Sequence, residues 1–279
     1  MNKKRFLSAL VFAGLLFSCF AKKTKTVDNG YPKSIVALSP SAAEILFAVG
    51  AGDQVSAVSE FTDYPAEAAA KPVVGGFDGK TLSIETIMSF KPDFVYLTEG
   101  MHNFLIATLE SNGIAYYISK GESIASVEKE ILDVGKLTGH DKEAKKVVED
   151  MEKKLKKATG RKGGAVKVYY EVWNAPYMSV GTTSFINDVI VKAGGENIFG
   201  DLTDAYPMVS EESIISREPA VIIIPASTGM NASAVGLRNG WADIPAVKNG
   251  KVFVVDDNVY TRSGPRIADV VLELSELLK

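Results

Sequence analysis

The chain has 279 residues, 46% hydrophobic and 23% charged, which supplies a large core and excludes the disordered and collagen-like classes. Its 31 basic and 34 acidic side chains give a net charge of -3, without the basic excess of a nucleic-acid binder. One cysteine and two histidines exclude a zinc ribbon, a cysteine-held iron–sulfur cluster and an internal disulfide.

At the start of the chain, Lys3, Lys4 and Arg5 precede an apolar run from Phe6 to Phe17, closed by Leu16-Phe17-Ser18-Cys19. The run is shorter than the roughly 20 residues a spanning helix needs, so it reads as an export signal. It resembles a bacterial lipoprotein signal, which implies removal of residues 1–18 and lipidation of Cys19. A plain signal peptide cleaved nearby is the alternative. Residues 19–33 then form a tether, polar from Thr24 to Gly30. The protein is expected to be exported and lipid-anchored to the bacterial cell membrane, facing the periplasm or the exterior.

Apolar runs without alternation occur at Ile35 to Leu38, Phe94 to Leu97, Val166 to Tyr170, Val221 to Ile224 and Val252 to Val255, the pattern of buried parallel strands. Helical stretches lie between them. Ser41 to Val49 opens with Ser41 and Glu44 as a capping box, and the others are Phe104 to Ser111, Ser184 to Ala193 and Arg266 to Leu278. Such alternation predicts the α/β class. Asp141 to Thr159 differs: Val147, Val148, Met151 and Leu155 recur at helical spacing on a highly charged background, predicting one long helix with a narrow buried stripe. It divides the body into an N-terminal lobe (34–139), a linker helix (140–164) and a C-terminal lobe (165–279).

The halves are related. Residues Ser83 to Pro92 and Ser210 to Pro219 share five of ten positions, and each segment predicts a short serine-capped helix leading through proline into a strand. Glu85 and Glu212 occupy matched positions in its first turn. Enzyme motifs fail on spacing: Gly79-Lys80-Thr81 lacks the first glycine of a P-loop, Gly50-x-Gly52 lacks the third glycine of a dinucleotide fingerprint, and there is no G-x-S-x-G. The sequence reads as that of a non-enzyme, and a carboxylate-dependent hydrolase is the distant alternative.

Val36 to Glu44, Ser59 to Pro65, Gly194 to Phe199 and Ser263 to Arg266 resemble substrate-binding proteins of ABC importers in the class whose lobes are joined by a single helix, the cobalamin-binding members in particular. The resemblance implies two Rossmann-like lobes with parallel-rich sheets joined by one long rigid α-helix. It also implies a monomer with no resident cofactor, a corrinoid cargo held between the lobes, and an importer permease as partner. Haem or a ferric siderophore is the alternative cargo.

Aromatic side chains in loops after strands are suited to a large planar cargo. Phe61, Tyr64, Phe77, Trp173, Tyr177 and Tyr206 are the candidates, and by resemblance Tyr64, Phe77, Tyr177 and Tyr206 match places where cobalamin binders present aromatics. His102 is expected at the cleft rim as a ligand for cobalt or haem iron. With His140 the only other histidine, no multi-histidine metal site is expected. Arg262 is expected to reach cargo, and Arg266 to anchor its loop. The resemblance further implies that Glu85 and Glu212 dock the permease.

Overall fold

The computed structural model describes residues 30–76, 78–158 and 164–279, so Cys19, the signal, most of the tether and Phe77 lie outside the described residues. The first half holds strands Ile35–Ala37 (β1), Val55–Val58 (β2), Phe94–Thr98 (β3) and Ala115–Ser119 (β4). Among them lie helices Pro40–Ala48 (α1), Ala66–Ala69 (α2), Ile84–Ser89 (α3) and Ile106–Ser111 (α4). Helices Ile124–Thr138 (α5) and Asp141–Ala158 (α6) follow. In the second half the strands are Val166–Tyr170 (β5), Trp173–Asn174 (β6), Tyr177–Met178 (β7), Gly195–Asn197 (β8), Val221–Pro225 (β9) and Val252–Val255 (β10). Its helices are Phe185–Lys192 (α7), Glu211–Ser216 (α8), Ala232–Gly236 (α9), Pro245–Lys248 (α10), Asp257–Tyr260 (α11) and Ile267–Leu277 (α12).

The apolar runs form two four-stranded parallel sheets, ordered β2-β1-β3-β4 and β10-β9-β5-β8. Counting each sheet's strands in chain order, both read 2-1-3-4, the second seen from its other edge. The two halves therefore share a topology as well as a sequence motif, and the fold is α/β with two lobes.

The repeat extends to backbone detail. The hydroxyls of Ser83 and Ser210 accept the N–H groups of Thr86 and Ser213, capping α3 and α8. Lys91 and Glu218, each just before its proline, adopt left-handed φ values of 48° and 51°. This turn sends each chain directly from a short helix into the third strand of its sheet.

Two expectations need correction. Helix α1 is capped by Ser39, whose Oγ accepts the Ala42 N–H at 3.1 Å, with Pro40 in its first turn. Glu44 is no capping partner: it is buried and reserved for an ion pair. Helix α5, which the sequence reading passed over, is a 15-residue helix packed on α6. Gly135 lets the two approach closely, since a Cβ there would lie 2.3 Å from that of Ala144, and Gly139 ends α5 with a φ of 84°.

One apolar cluster runs through both lobes. It takes Ile35, Ala37, Phe94 and Tyr96 from the first sheet, Val168, Tyr170, Val221 and Ile223 from the second, and side chains of α1, α5, α6, α7 and α12 between them. Helix α6 contributes Ala144, Val148, Met151 and Ala158, with Val147 and Leu155 partly covered beside them. Alternate strand residues face the other way, into a smaller core behind each sheet: Val36, Val95 and Leu97 in one, Tyr169, Ile222 and Ile224 in the other.

Glu130 of α5 is buried within this layer and accepts hydrogen bonds from the hydroxyls of Tyr96 and Ser119. Burial raises its pKa, although both hydrogen bonds pull the other way. A carboxyl whose folded-state pKa is raised costs stability while ionised and returns it as pH falls through that value. The Glu130→Gln variant should therefore melt above the wild type at neutral pH, by a margin that shrinks as pH falls. Thermal unfolding of both proteins across pH 4 to 8 checks this, and a margin independent of pH would refute it.

Candidate functional site

Parallel α/β sheets place ligands beyond the C-terminal ends of their strands, where the strand order reverses. Those points lie between β1 and β3 in the first lobe and between β5 and β9 in the second. On the first lobe, the loop after β2 carries Phe61 and Tyr64, 67% and 45% exposed. Met101 and Phe104, also exposed, follow β3. Gly79 is pressed against this segment: a Cβ there would meet the Met101 carbonyl at 2.8 Å and the Phe104 ring at 3.0 Å.

The second lobe presents a platform. Strands β6 and β7 form a small antiparallel hairpin that pairs Trp173 with Met178. The segment 206–209 lies along it, with the Ser179 N–H donating to the Pro207 carbonyl and the Val209 N–H to the Tyr177 carbonyl, both at 3.0 Å. Trp173, Tyr206 and Met208 are thereby exposed on one platform. Tyr177 is half-buried and turned away: its hydroxyl donates to Glu211 at 3.2 Å, its ring packs 5.7 Å from that of Trp241, and burial raises its pKa.

A buried ion pair supports the platform. The carboxylate of Glu171, inaccessible to solvent, accepts two hydrogen bonds from Arg238 at 2.5 and 2.7 Å. The guanidinium also lies 4.5 Å from the Trp241 ring and 5.4 Å from that of Tyr177. Trp241 donates its indole N–H to Glu211 at 2.7 Å. Charge, aromatic faces and hydrogen bonds thus fix the wall that carries the exposed rings.

Two candidates are placed differently from expectation. His102 is fully buried and its Nδ1 accepts the Thr98 backbone N–H at 2.9 Å, so it stabilises the turn after β3 and offers no ring nitrogen at a rim. Arg262 is also buried, its guanidinium bound to Asp63 and to the Phe61 carbonyl of the opposite lobe. Arg266 does anchor its loop: it pairs with buried Glu44 at 2.8 Å and stacks 3.9 Å from the Tyr64 ring. Glu85 and Glu212 lie exposed in the first turns of α3 and α8. Hydrogen bonds from their own amides and from the capping serines lower both pKa values, so both are anionic at neutral pH.

Ser59, Thr62, Thr98 and Tyr170 carry buried hydroxyls with no hydrogen-bond partner among the described residues. They lie at or just beyond the ends of β2, β3 and β5. Buried hydroxyls normally find partners, and these four are sealed from solvent close to the strand ends that carry the exposed aromatics. Burial, then Asp257 and Tyr206, raises the Tyr170 pKa. Sequence reasoning missed Thr98, Tyr170 and Met208, whose only signal was position at a strand end or beside a chosen aromatic.

A cavity of about 560 Å³ lies along α1, from Gly50 and Asp53 to Arg266, and shares Tyr64 with the first wall. Among the described residues no cluster of three or more metal-ligating side chains occurs, and no helix is long and apolar enough to cross a membrane.

Removing Arg238 leaves the buried Glu171 carboxylate without its counter-charge, with the Tyr169 hydroxyl at 3.4 Å still donating to it. Arg238→Met should destabilise the protein by about 3 to 5 kcal/mol, the usual cost of breaking a buried pair. Replacing both partners by Met should restore most of the loss, and urea unfolding of the two variants measures it.

The sequence profile of the periplasmic binding proteins matches residues 35–259. An uncharacterized ABC transporter substrate-binding lipoprotein of Bacillus subtilis is 33% identical over 255 residues, covering 88% of this chain and 79% of the relative. The vitamin B12-binding protein of Vibrio parahaemolyticus is 28% identical over 256 residues, covering 90% and 91%. Among solved structures, the periplasmic vitamin B12 binding protein of Vibrio cholerae superposes with a TM-score of 0.76 at 26% identity, covering 88% of this chain and 96% of that one. The periplasmic haem binding protein of the same organism superposes at 0.79 over 88% and 98%, but at 20% identity it shows the fold alone.

Proposed function

The chain belongs to the periplasmic binding protein family, and on that premise we propose that it captures a corrinoid in the cleft between its lobes and hands it to the permease of an ABC importer. The family consists of transporter substrate-binding proteins and not enzymes, so a small-molecule cargo and a transporter partner follow from membership. A corrinoid is the proposed cargo because the exposed side chains at the strand ends of both lobes are aromatic or apolar. Phe61 and Tyr64 on one side, with Trp173, Tyr206 and Met208 on the other, offer flat apolar area at small entropic cost. The vitamin B12-binding relatives support the same reading. Haem is less well served, because His102 is fully buried and its Nδ1 is bound to the Thr98 amide.

In this reading Cys19 anchors the carrier by lipid to the cell membrane, facing the periplasm or the exterior, and Glu85 and Glu212 meet basic residues of the permease, one on each lobe. Their matched, exposed positions place two anions at equivalent points of the two halves.

Isothermal titration of the mature protein with cobalamin, cobinamide, hemin and a ferric siderophore tests the cargo. One-to-one corrinoid binding is expected, weakened by about 1 to 3 kcal/mol in Tyr206→Ala or Trp173→Ala through loss of aromatic contact. Saturable hemin binding without corrinoid heat would overturn it.

Uptake by cells tests the docking role. Glu85→Lys and Glu212→Lys together should leave cargo affinity unchanged and abolish transport, because each reversal sets like charges in contact. Wild-type transport by the double variant would leave both residues as helix-terminus carboxylates only.

A further inference from the structure

Phe61 is conformationally anomalous. It stands at a φ of 60°, the left-handed region that large side chains avoid, and its ring is 67% exposed. Among the described residues the other two non-glycine positions with positive φ are Lys91 and Glu218, the matched pre-proline positions of the internal repeat. Phe61 belongs to no such repeated turn, so its conformation must be imposed by what surrounds it.

A side-chain support for it comes from the other lobe, while Glu60 beside it donates its N–H to the Gly75 carbonyl of its own lobe at 2.8 Å. Arg262 follows β10 and α11, is 9% exposed, and reaches across to the loop after β2. One arm of its guanidinium, Nη2, donates to the Phe61 carbonyl at 3.0 Å; the other, Nη1, donates to the Asp63 carboxylate. Nη2 also donates to Asn258 at 3.3 Å, bracing the arginine on its own lobe. A planar fork that grips a carbonyl and a carboxylate two residues apart fixes the intervening backbone, which a lysine ammonium cannot do. The same C-terminal segment holds the loop at a second point, where Arg266, pinned by Glu44, stacks on Tyr64.

We infer that Arg262 is a positioning residue that, from the second lobe, holds the first lobe's loop 59–65 in the shape that presents Phe61 to cargo. This rests on the cargo reading above, and it replaces the expectation that Arg262 touches cargo. It also supplies a route to release. The clamp spans the lobes, so a permease that drew them slightly apart would withdraw the guanidinium. Phe61 would then leave its unfavourable conformation, and one aromatic wall of the site would be lost without large lobe rotation.

Hydrogen exchange on the ligand-free protein reads the clamp independently of cargo. Arg262→Lys should speed exchange of the amides of residues 60–64 roughly tenfold or more, as expected for loss of a charge-assisted hydrogen bond, with strands β1 and β5 unchanged. Asn258→Ala, a milder change, should give the same pattern more weakly and stands in if the lysine variant fails to fold. Asparagine tolerates left-handed backbone, so in a Phe61→Asn background Arg262→Lys should disturb the loop less. Corrinoid affinity should fall with Arg262→Lys in parallel with the loop's loss of protection.

Loop exchange unchanged in both Arg262→Lys and Asn258→Ala overturns the inference. So does faster loop exchange in Arg262→Lys with corrinoid affinity intact. If the wild type binds no corrinoid, the cargo reading fails separately, while the exchange data still decide whether Arg262 holds the loop.

Discussion

The apolar layer shared by the two sheets is the constraint on which the other features depend. In a chain built as two independent lobes, each sheet would bury its own faces and a linker would cross between finished cores. Here the inward residues of both sheets enter one cluster with α1, α5, α6, α7 and α12. Asp188 of α7 even accepts the Ile124 N–H at 2.8 Å, so the second lobe satisfies a donor at the start of the first lobe's longest helix. Separating the lobes enough to expose three such side chains would cost roughly 5 to 9 kcal/mol. That is comparable with the whole stability of an ordinary domain. Large hinge rotation is therefore costly, which favours small adjustments of the loops at the strand ends over lobe rotation.

Where the chain buries charge, it does so in pairs with defined mechanical roles. Glu44 with Arg266 joins α1 of the first lobe to the turn before α12, and Glu171 with Arg238 stiffens the hairpin platform. A carboxylate in either place would be untenable alone, and the pair gains little over apolar packing. What it adds is direction: a guanidinium fork fixes orientation as well as distance. Both arginines also lie against aromatic rings, Tyr64 in one case and Trp241 with Tyr177 in the other. The exposed aromatics are thus held on supports that cannot easily rotate.

Much of this was legible in the sequence, for physical reasons that differ from element to element. Buried parallel strands need apolar residues on both faces, so β1, β3 and β9 announced themselves as continuous runs. The repeat was visible because serine caps and prolines are local devices that work without tertiary context. Helix α5 carried a local signal too, with Ile124, Val127, Ile131 and Val134 at helical spacing behind the Ser123 cap. Its close approach to α6 at Gly135 is visible only in three dimensions. His102 and Arg262 were misjudged for a shared reason: sequence places a residue on a loop but does not say whether its side chain turns outward or back into the fold. His102 turns back to its own strand end, and Arg262 crosses to the other lobe.

Rigidity and release must then be reconciled in one molecule. A preorganised cleft lowers the cost of binding, because little order remains to be imposed when cargo arrives. The same preorganisation would trap cargo if every contact rested on the shared core. It does not: Phe61 is held in an unfavourable backbone conformation by a guanidinium from the opposite lobe, outside the apolar cluster. A shift too small to expose the core can still lengthen a hydrogen bond past its useful range, since such bonds weaken steeply with distance and angle. The core thus sets the resting geometry, and the few polar contacts that bridge the lobes above it are where a partner's modest force can change affinity.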